Sequence, residues 1–426
     1  MGWLLFLFLG IFLISNIPVA ISLGMASIMI LLLGKSVPLL VVVQRLFTAT
    51  DSFPLMAVPF FMLAGALMEY GGISRRLVKF AQSLVGALSG GLALVAIMGS
   101  MFFAAISGSA AATTAAIGAI MIPEMIKRKY DVKYSAAIQA ASGSIGVIIP
   151  PSIPLVVYGV LTGTSIGALF MGGFFPGILM GASLMVTAYV IAKYKGYKGE
   201  TSINIKNIIT TFKDSIIALL MPLIILGGIY GGIFTPTEAA VIAVVYAMIV
   251  GIFIYKEIDW KNFKEIMVKS TISTAVVMFL IATASLFGWI LTWEEIPQQV
   301  AKGITHFTSN PIVIIIIINL VYLLVGTFLD TVAAILIFVP IFFPVVTAVG
   351  INPIQFGLIT VVNLAVGMIT PPFGICLFVA CSIAKIKLED IVKAIWPFFL
   401  ALLIDILIVS YIPWISTWLP SIMIGK

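Results

Sequence analysis

Two doubled prolines, Pro150-Pro151 and Pro371-Pro372, interrupt apolar sequence 221 positions apart. Small and polar residues precede each: Ser142-Gly143-Ser144-Ile145-Gly146 before the first, and Asn363, Gly367 and Thr370 before the second. Two more polar centres lie upstream, Ser107-Gly108-Ser109 with Thr113, and Gly326-Thr327 with Asp330. At a broken helix, freed carbonyls and hydroxyls can replace the water around a hard cation, while exposed helix N-termini attract an anion. The spacing therefore predicts two alkali-cation sites of the sodium type. Ser107, Ser109, Gly143 and Gly146 would build one, and Thr327, Asp330, Gly367 and Thr370 the other. The anion would lie between them, against Ser144, Pro150, Pro151 and Ser152 on one side and Asn363, Pro371 and Pro372 on the other.

Each residue also has a plainer role. A lone proline in a membrane helix reads as a kink, but four matched interruptions imply a shared polar cavity, because backbone at membrane depth must be bonded within the protein or line water. Asp330 is either an ion ligand or the cap of the half-helix that follows; an ionisable group in apolar sequence favours the ligand, and both roles are compatible. Glu238, in Thr235-Pro236-Thr237-Glu238, reads as a helix cap. Asp405 is an isolated acid with no evident partner, and His306 reads as a surface residue. Gly227-Gly228 and Gly231-Gly232 read as close helix packing. Cys376 and Cys381 lie in an apolar segment and say nothing of redox compartment.

The elements that must position these groups are membrane helices. Of 426 residues, 62% are hydrophobic and 9% charged, and the mean hydropathy is +1.24, which excludes a water-soluble fold. Apolar stretches of about 20 residues recur, each long enough for a hydrocarbon core of ~30 Å. The expected fold is therefore an all-α polytopic membrane protein embedded in the lipid bilayer. Residues 3–33 read as retained membrane structure and not as a signal peptide. The net charge of +7 comes from short basic clusters between apolar runs, the mark of cytoplasmic loops and not of nucleic-acid binding. An intramembrane enzyme has little support, since there is no HExxH and a protease would need Asp330 and Asp405 to meet without a characteristic motif. A channel would need no pair of re-entrant hairpins.

Clusters at Arg75-Arg76-Lys79, Lys127-Arg128-Lys129-Lys133, Lys193-Lys195-Lys198, Lys206-Lys213, Lys256-Lys261-Lys264-Lys269 and Lys385-Lys387-Lys393 orient the crossings. A hairpin over 89–126 should enter from the cytoplasm and a broken crossing follow over 134–163; a second hairpin over 311–347 should enter from outside, followed by a broken crossing over 354–384 and a last crossing over 394–420. Residues 294–310, with the acidic pair Glu294-Glu295, and 348–353 should face outward. The shift of 221 that aligns the prolines also carries Gly146 onto Gly367, Pro123 onto Pro344 and Ser109 onto Asp330. An N-terminal pair broken at Asn16-Ile17-Pro18 answers the pair at Thr235-Pro236-Thr237 with a shift of 218, which puts the N-terminus outside against the charge of Lys35 and Arg45. The halves, 1–192 and 207–426 joined by a linker at 193–206, thus read as inverted repeats, an arrangement that places binding sites near the bilayer midplane.

With these residues placed, the chain resembles the large membrane subunit of the tripartite ATP-independent periplasmic (TRAP) transporters, the DctM-like family of the ion-transporter superfamily, over essentially its whole length. SGSAAATTAAIGAIMIPEM (107–125), IGVIIPPSIPLVVYG (145–159), FFPGILMG (174–181), IFTPTEAA (233–240) and NLAVGMITPPFGICLF (363–378) carry the resemblance. It implies secondary active uptake of an organic acid, of the C4-dicarboxylate or sialic acid type, across the bacterial inner membrane by an elevator mechanism. Sodium ions would be the coupling ions, with no other cofactor. Implied partners are a small four-helix membrane subunit, expected as a separate chain, and a periplasmic substrate-binding protein. A self-sufficient sodium or proton symporter of the same superfamily is the near alternative.

Overall fold

Capping residues punctuate the apolar runs into helices. The structure, a computed structural model, describes residues 2–34, 37–199, 204–308 and 310–423. Lys35, residues 200–203 of the linker and Ser309 of the 294–310 stretch lie outside them. The first half forms α1 (Gly2–Ile14), α2 (Val19–Gly34), α3 (Leu40–Thr50), α4 (Ala57–Tyr70), α5 (Ile73–Val85), α6 (Gly91–Ser107), α7 (Ala110–Lys127), α8 (Val132–Gly143), α9 (Ile153–Thr162) and α10 (Ile166–Tyr194). In the second half follow α11 (Ile205–Tyr230), α12 (Pro236–Ile249), α13 (Trp260–Trp293), α14 (Ile296–Phe307), α15 (Pro311–Gly326), α16 (Thr331–Ala348), α17 (Pro353–Gly367), α18 (Ile375–Ala384), α19 (Leu388–Tyr411) and α20 (Pro413–Met423). Eight of the described helical segments are long and apolar enough to cross a membrane.

Ser109, Asp131, Ser152, Ser165, Thr235, Asp259, Asn310, Asp330 and Asn352 each accept a backbone N–H bond at a helix start. Such a cap contributes about 1 kcal/mol in water. In lipid, where an orphan N–H finds no solvent, leaving it unmade costs more. Thr235 and Glu238 form the reciprocal capping box expected of them.

Helix order repeats between the halves. The pairs α6–α7 and α15–α16 are the two hairpins; α8–α9 and α17–α18 are the two broken crossings, each joined through a doubled proline whose peptide bond is cis. The shift of 221 also carries Pro176, inside α10, onto Pro397, inside α19. Neither half is closed on itself: α2 packs on α13 and α12 on α4, while α18 packs against α7 and α8 and α9 against α16 and α17. Buried side chains from both halves accordingly form one continuous core.

Three departures from expectation have local causes. The last crossing, expected over 394–420, ends at Tyr411, because Pro413 has no N–H to continue the helix; α20 packs back on α10 and α17. Single α13 corresponds to three pieces in the first half, α3, a 3₁₀ turn at Phe53–Met56 and α4, divided at Pro54. Of the glycines near 230, Gly227 would meet open space with a Cβ, whereas Gly228 is buried and would meet the Phe234 ring, so the close packing is against the turn that follows. They end α11, where the N–H groups of Ile233 and Phe234 fold back onto the Gly228 carbonyl.

Candidate functional site

Both hairpin tips open onto one cavity of about 760 Å³. Ser107, Gly108, Ser109 and the start of α7 form one part of its wall, and Asp330, Thr331 and the start of α16 another. Met368, at the second break, lies between them and accepts the Thr331 hydroxyl at 3.1 Å through its sulfur. The remaining wall comes from α2 and the preceding Pro18, α4 and α13, with Val147, Ile153 and Pro154 of the first broken crossing. The cavity extends to Glu69, Tyr70 and Lys269, beside the basic residues Arg75, Arg76, Lys261 and Lys264, and so opens toward a face that the charge pattern orients to the cytoplasm.

The first tip is tightly built. Ser107 and Thr113 share a hydroxyl–hydroxyl bond of 2.8 Å, and Thr113 also donates to the Ser109 carbonyl at 2.8 Å. Gly108 turns the chain at φ +61°, where a side chain would stand 2.7 Å from the Pro151 carbonyl. Its own carbonyl accepts the Ile153 N–H at 3.3 Å, tying the tip to the start of α9. Gly146 lies directly behind, so close that a Cβ would come within 2.6 Å of the Ser109 carbonyl and 2.5 Å of the Thr113 hydroxyl. Gly143 abuts Thr114 in the same way. The Ser107 and Thr113 hydroxyls and the Ser109 carbonyl thus gather at the tip, oxygen groups of the kind a hard cation takes as ligands.

At the second tip the Asp330 carboxylate caps α16, accepting the Val332 N–H at 3.1 Å, and remains exposed to the cavity. The cap bond is made while the carboxylate still faces the cavity. Gly326 and Gly367 touch backbone to backbone, since a Cβ on Gly367 would lie 2.5 Å from the Gly326 Cα. Thr327 and Thr370 turn their hydroxyls to their own helix carbonyls, Leu324 at 2.7 Å and Val366 at 2.8 Å. Their main chains nonetheless flank the tip and the break.

Of the expected anion contacts, none lines this cavity in the observed arrangement. Ser144 bonds to the Ala141 carbonyl at 2.8 Å, and Ser152 donates to the Val147 carbonyl at 2.5 Å while capping α9. Pro150 and Pro151 are buried, whereas Pro372 and the following Phe373 are exposed, so the two breaks are not equally covered. Asn363 belongs to a different assembly, donating to Asn319 at 3.0 Å and to the Ile359 carbonyl at 2.7 Å. Asn319 in turn donates to Ser410 at 3.0 Å, and Gln355 to the Ser410 carbonyl at 2.9 Å, which joins α15, α17 and α19. In the first half Ser142, the repeat mate of Asn363, occupies the matching network with Ser100 and Gln139.

Sequence reasoning missed the wall opposite the tips. Lys269, Ser270, Ser273, Val276, Val277 and Leu280 line it at helical spacing along α13. Lys269 looked like one more cytoplasmic charge; the signal available was its continuation into Ser270 and Ser273, polar positions that recur on one helical face. Asp405, for which no partner was evident, is buried and accepts the Ser183 hydroxyl from α10. Among the described residues no group of three His, Cys, Asp or Glu is gathered as a transition-metal site would require.

The family described as "Tripartite ATP-independent periplasmic transporter, DctM component" matches residues 5–415. Among curated proteins, the isethionate TRAP transporter permease protein DctMQ of Oleidesulfovibrio alaskensis is 46% identical over 410 residues, covering 96% of this chain but only 65% of that relative. The C4-dicarboxylate TRAP transporter large permease protein DctM of Vibrio cholerae is 39% identical over 443 residues, covering 99% of this chain and 98% of the relative. Among solved structures, the Alcanivorax borkumensis YdaH transporter aligns with a TM-score of 0.60 at 15% identity, over 88% of this chain and 87% of that one, a likeness of fold.

Proposed function

Because this chain belongs to the DctM component family of the tripartite ATP-independent periplasmic transporters, a family of transport permeases and not of enzymes, we propose that it takes up an organic acid across the bacterial inner membrane, driven by sodium. The observation that carries this reading is the meeting of two re-entrant tips, each backed by a broken crossing, on one cavity. Sodium would bind in the oxygen cluster of Ser107, Ser109, Gly143 and Gly146 and behind the second tip, among Thr327, Asp330, Gly367 and Thr370. Its charge would then hold the carboxylate between the tips, so that substrate affinity follows sodium affinity by linkage. The relatives' names support an acid of the C4-dicarboxylate or isethionate class, and sialic acid belongs to the same chemistry.

The cavity opens toward the basic face, as the inward-facing stage of a transport cycle would. In an elevator mechanism the hairpins and broken crossings would move as a body past α2, α4 and α13, which line the rest of the cavity. A periplasmic binding protein would deliver the acid to the outward face near Glu294 and Glu295, and a small four-helix subunit would flank the scaffold in the membrane. The test is uptake of radiolabelled succinate, isethionate and N-acetylneuraminate into proteoliposomes holding the complete transporter, at fixed pH with an imposed sodium gradient. Uptake should require both sodium and the soluble partner. Full uptake in choline buffer under a pH gradient would overturn sodium coupling, and transport by the membrane part alone would make the protein a self-sufficient symporter.

A further inference from the structure

Among the described residues that line the cavity, Lys269 is the one cation. It is exposed, and its ammonium rests 2.7 Å from Glu265 and against the Tyr70 hydroxyl, which itself donates to Glu265 at 3.0 Å. An exposed pair of this kind is worth no more than ~1 kcal/mol, so an incoming anion can displace the carboxylate at little cost. Next to it, Ser270 is only 6% exposed, lines the same cavity, and its hydroxyl has no hydrogen-bond partner among the described residues. A buried hydroxyl left unmade is costly unless something binds it. One turn further, Ser273 presents a second hydroxyl to the cavity on the same face as Lys269. The repeat gives no counterpart: the shift of 221 places Thr48 opposite Lys269, with its hydroxyl bonded to the Gln44 carbonyl of its own helix at 2.8 Å. Lys269 of α13 thus has no charged repeat mate on α3.

We propose that Lys269, Ser270 and Ser273 form an oxyanion subsite on the α13 wall, which takes a carboxylate or sulfonate of the transported acid as it leaves the hairpin tips for the cytoplasm. The subsite rests on the organic-acid reading above and extends it to the scaffold. One charge-assisted bond and two hydroxyl donors hold the oxygens, while Glu265 reclaims the ammonium once the acid departs.

The test is calorimetric titration of succinate, isethionate and N-acetylneuraminate into the complete transporter in nanodiscs with sodium, for wild type, K269Q, K269R and S270A/S273A. The best-bound acid identifies carboxylate or sulfonate as the group taken. For that acid K269Q should weaken binding about tenfold or more, the loss of one charged hydrogen bond, and K269R should restore most of it. S270A/S273A should lose several-fold. A neutral ester of the same acid group should bind wild type and K269Q alike. Wild-type affinity in both K269Q and S270A/S273A overturns the subsite and leaves the transport reading intact. An equal loss for acid and neutral ester in K269Q also overturns it, since that is structural damage. If wild type binds none of the three acids in sodium, the organic-acid reading falls and the subsite falls with it.

Discussion

Ser109 and Asp330, 221 positions apart, cap the second arms of the two hairpins and face one cavity. The Ser109 hydroxyl accepts the Ala112 N–H at 3.4 Å, and the Asp330 carboxylate accepts the Val332 N–H at 3.1 Å. Two repeat mates thus do the same local work with different charge. A serine offers a cation only a dipole; an aspartate offers a full charge at a place where ionisable groups are costly. The difference predicts that the two proposed sodium sites are not equivalent.

Replacing Asp330 with asparagine keeps the capping oxygen and removes the charge. Sodium affinity should fall by tenfold or more, with the fold retained and substrate affinity falling alongside by linkage. Sodium-dependent thermal shift of the purified variant, followed by uptake at several sodium concentrations, reads both. A variant with unaltered sodium dependence would remove Asp330 from the site.

Gly367 approaches Gly326 so closely that a methyl group must displace backbone. Gly367→Ala should cost about 1–3 kcal/mol and depress transport, because the second tip and the second break can no longer nest. Gly227→Ala, where a Cβ meets nothing within 4 Å, is the control and should be neutral or slightly stabilising. Thermal melts of the two variants side by side settle the comparison; equal melting temperatures would refute the close-packing role.

Asp405 and Ser183 tie α19 to α10 inside the core. Ser183→Ala leaves a buried carboxylate without its donor and should lower stability by about 1–3 kcal/mol. Replacing both partners, as S183A/D405L, should recover much of that loss, because neither half of the bond then remains unmade. A double variant less stable than the single one would show that the carboxylate has a role besides this bond.

Orientation is open to direct measurement. A cysteine at Arg128, exposed beyond α7, should resist membrane-impermeant maleimide in intact cells, and one at Gln298, exposed on α14, should react. The opposite pattern would invert the topology and with it the direction in which the cavity opens.

Much of this architecture is local in origin and therefore legible in one dimension. Apolar runs make membrane helices wherever they occur, proline removes an N–H wherever it stands, and Ser109, Asp330 and Thr235 announce helix starts by their own chemistry. The repeat is legible for the same reason, since matched breaks need matched residues. Helix pairs at 91–127 and 311–348 fall over the stretches read as hairpins, and Ser107, Ser109 and Asp330 line one cavity.

Contacts between distant segments were not legible, because they depend on how finished helices pack and not on what any segment prefers. Asn363, chosen as a substrate contact, is turned into a buried amide network by Asn319, 44 positions earlier in the chain. Lys269 reads as one more surface charge until α4, 199 positions earlier, brings Tyr70 beside it at the mouth of the cavity. Sequence alone determined which segments are apolar helices, where proline interrupts them and which side chains stand at the interruptions. Only the tertiary structure decided which of those groups share a cavity, since burial and exposure are assigned when α2, α4, α13 and the first broken segment close around the two tips.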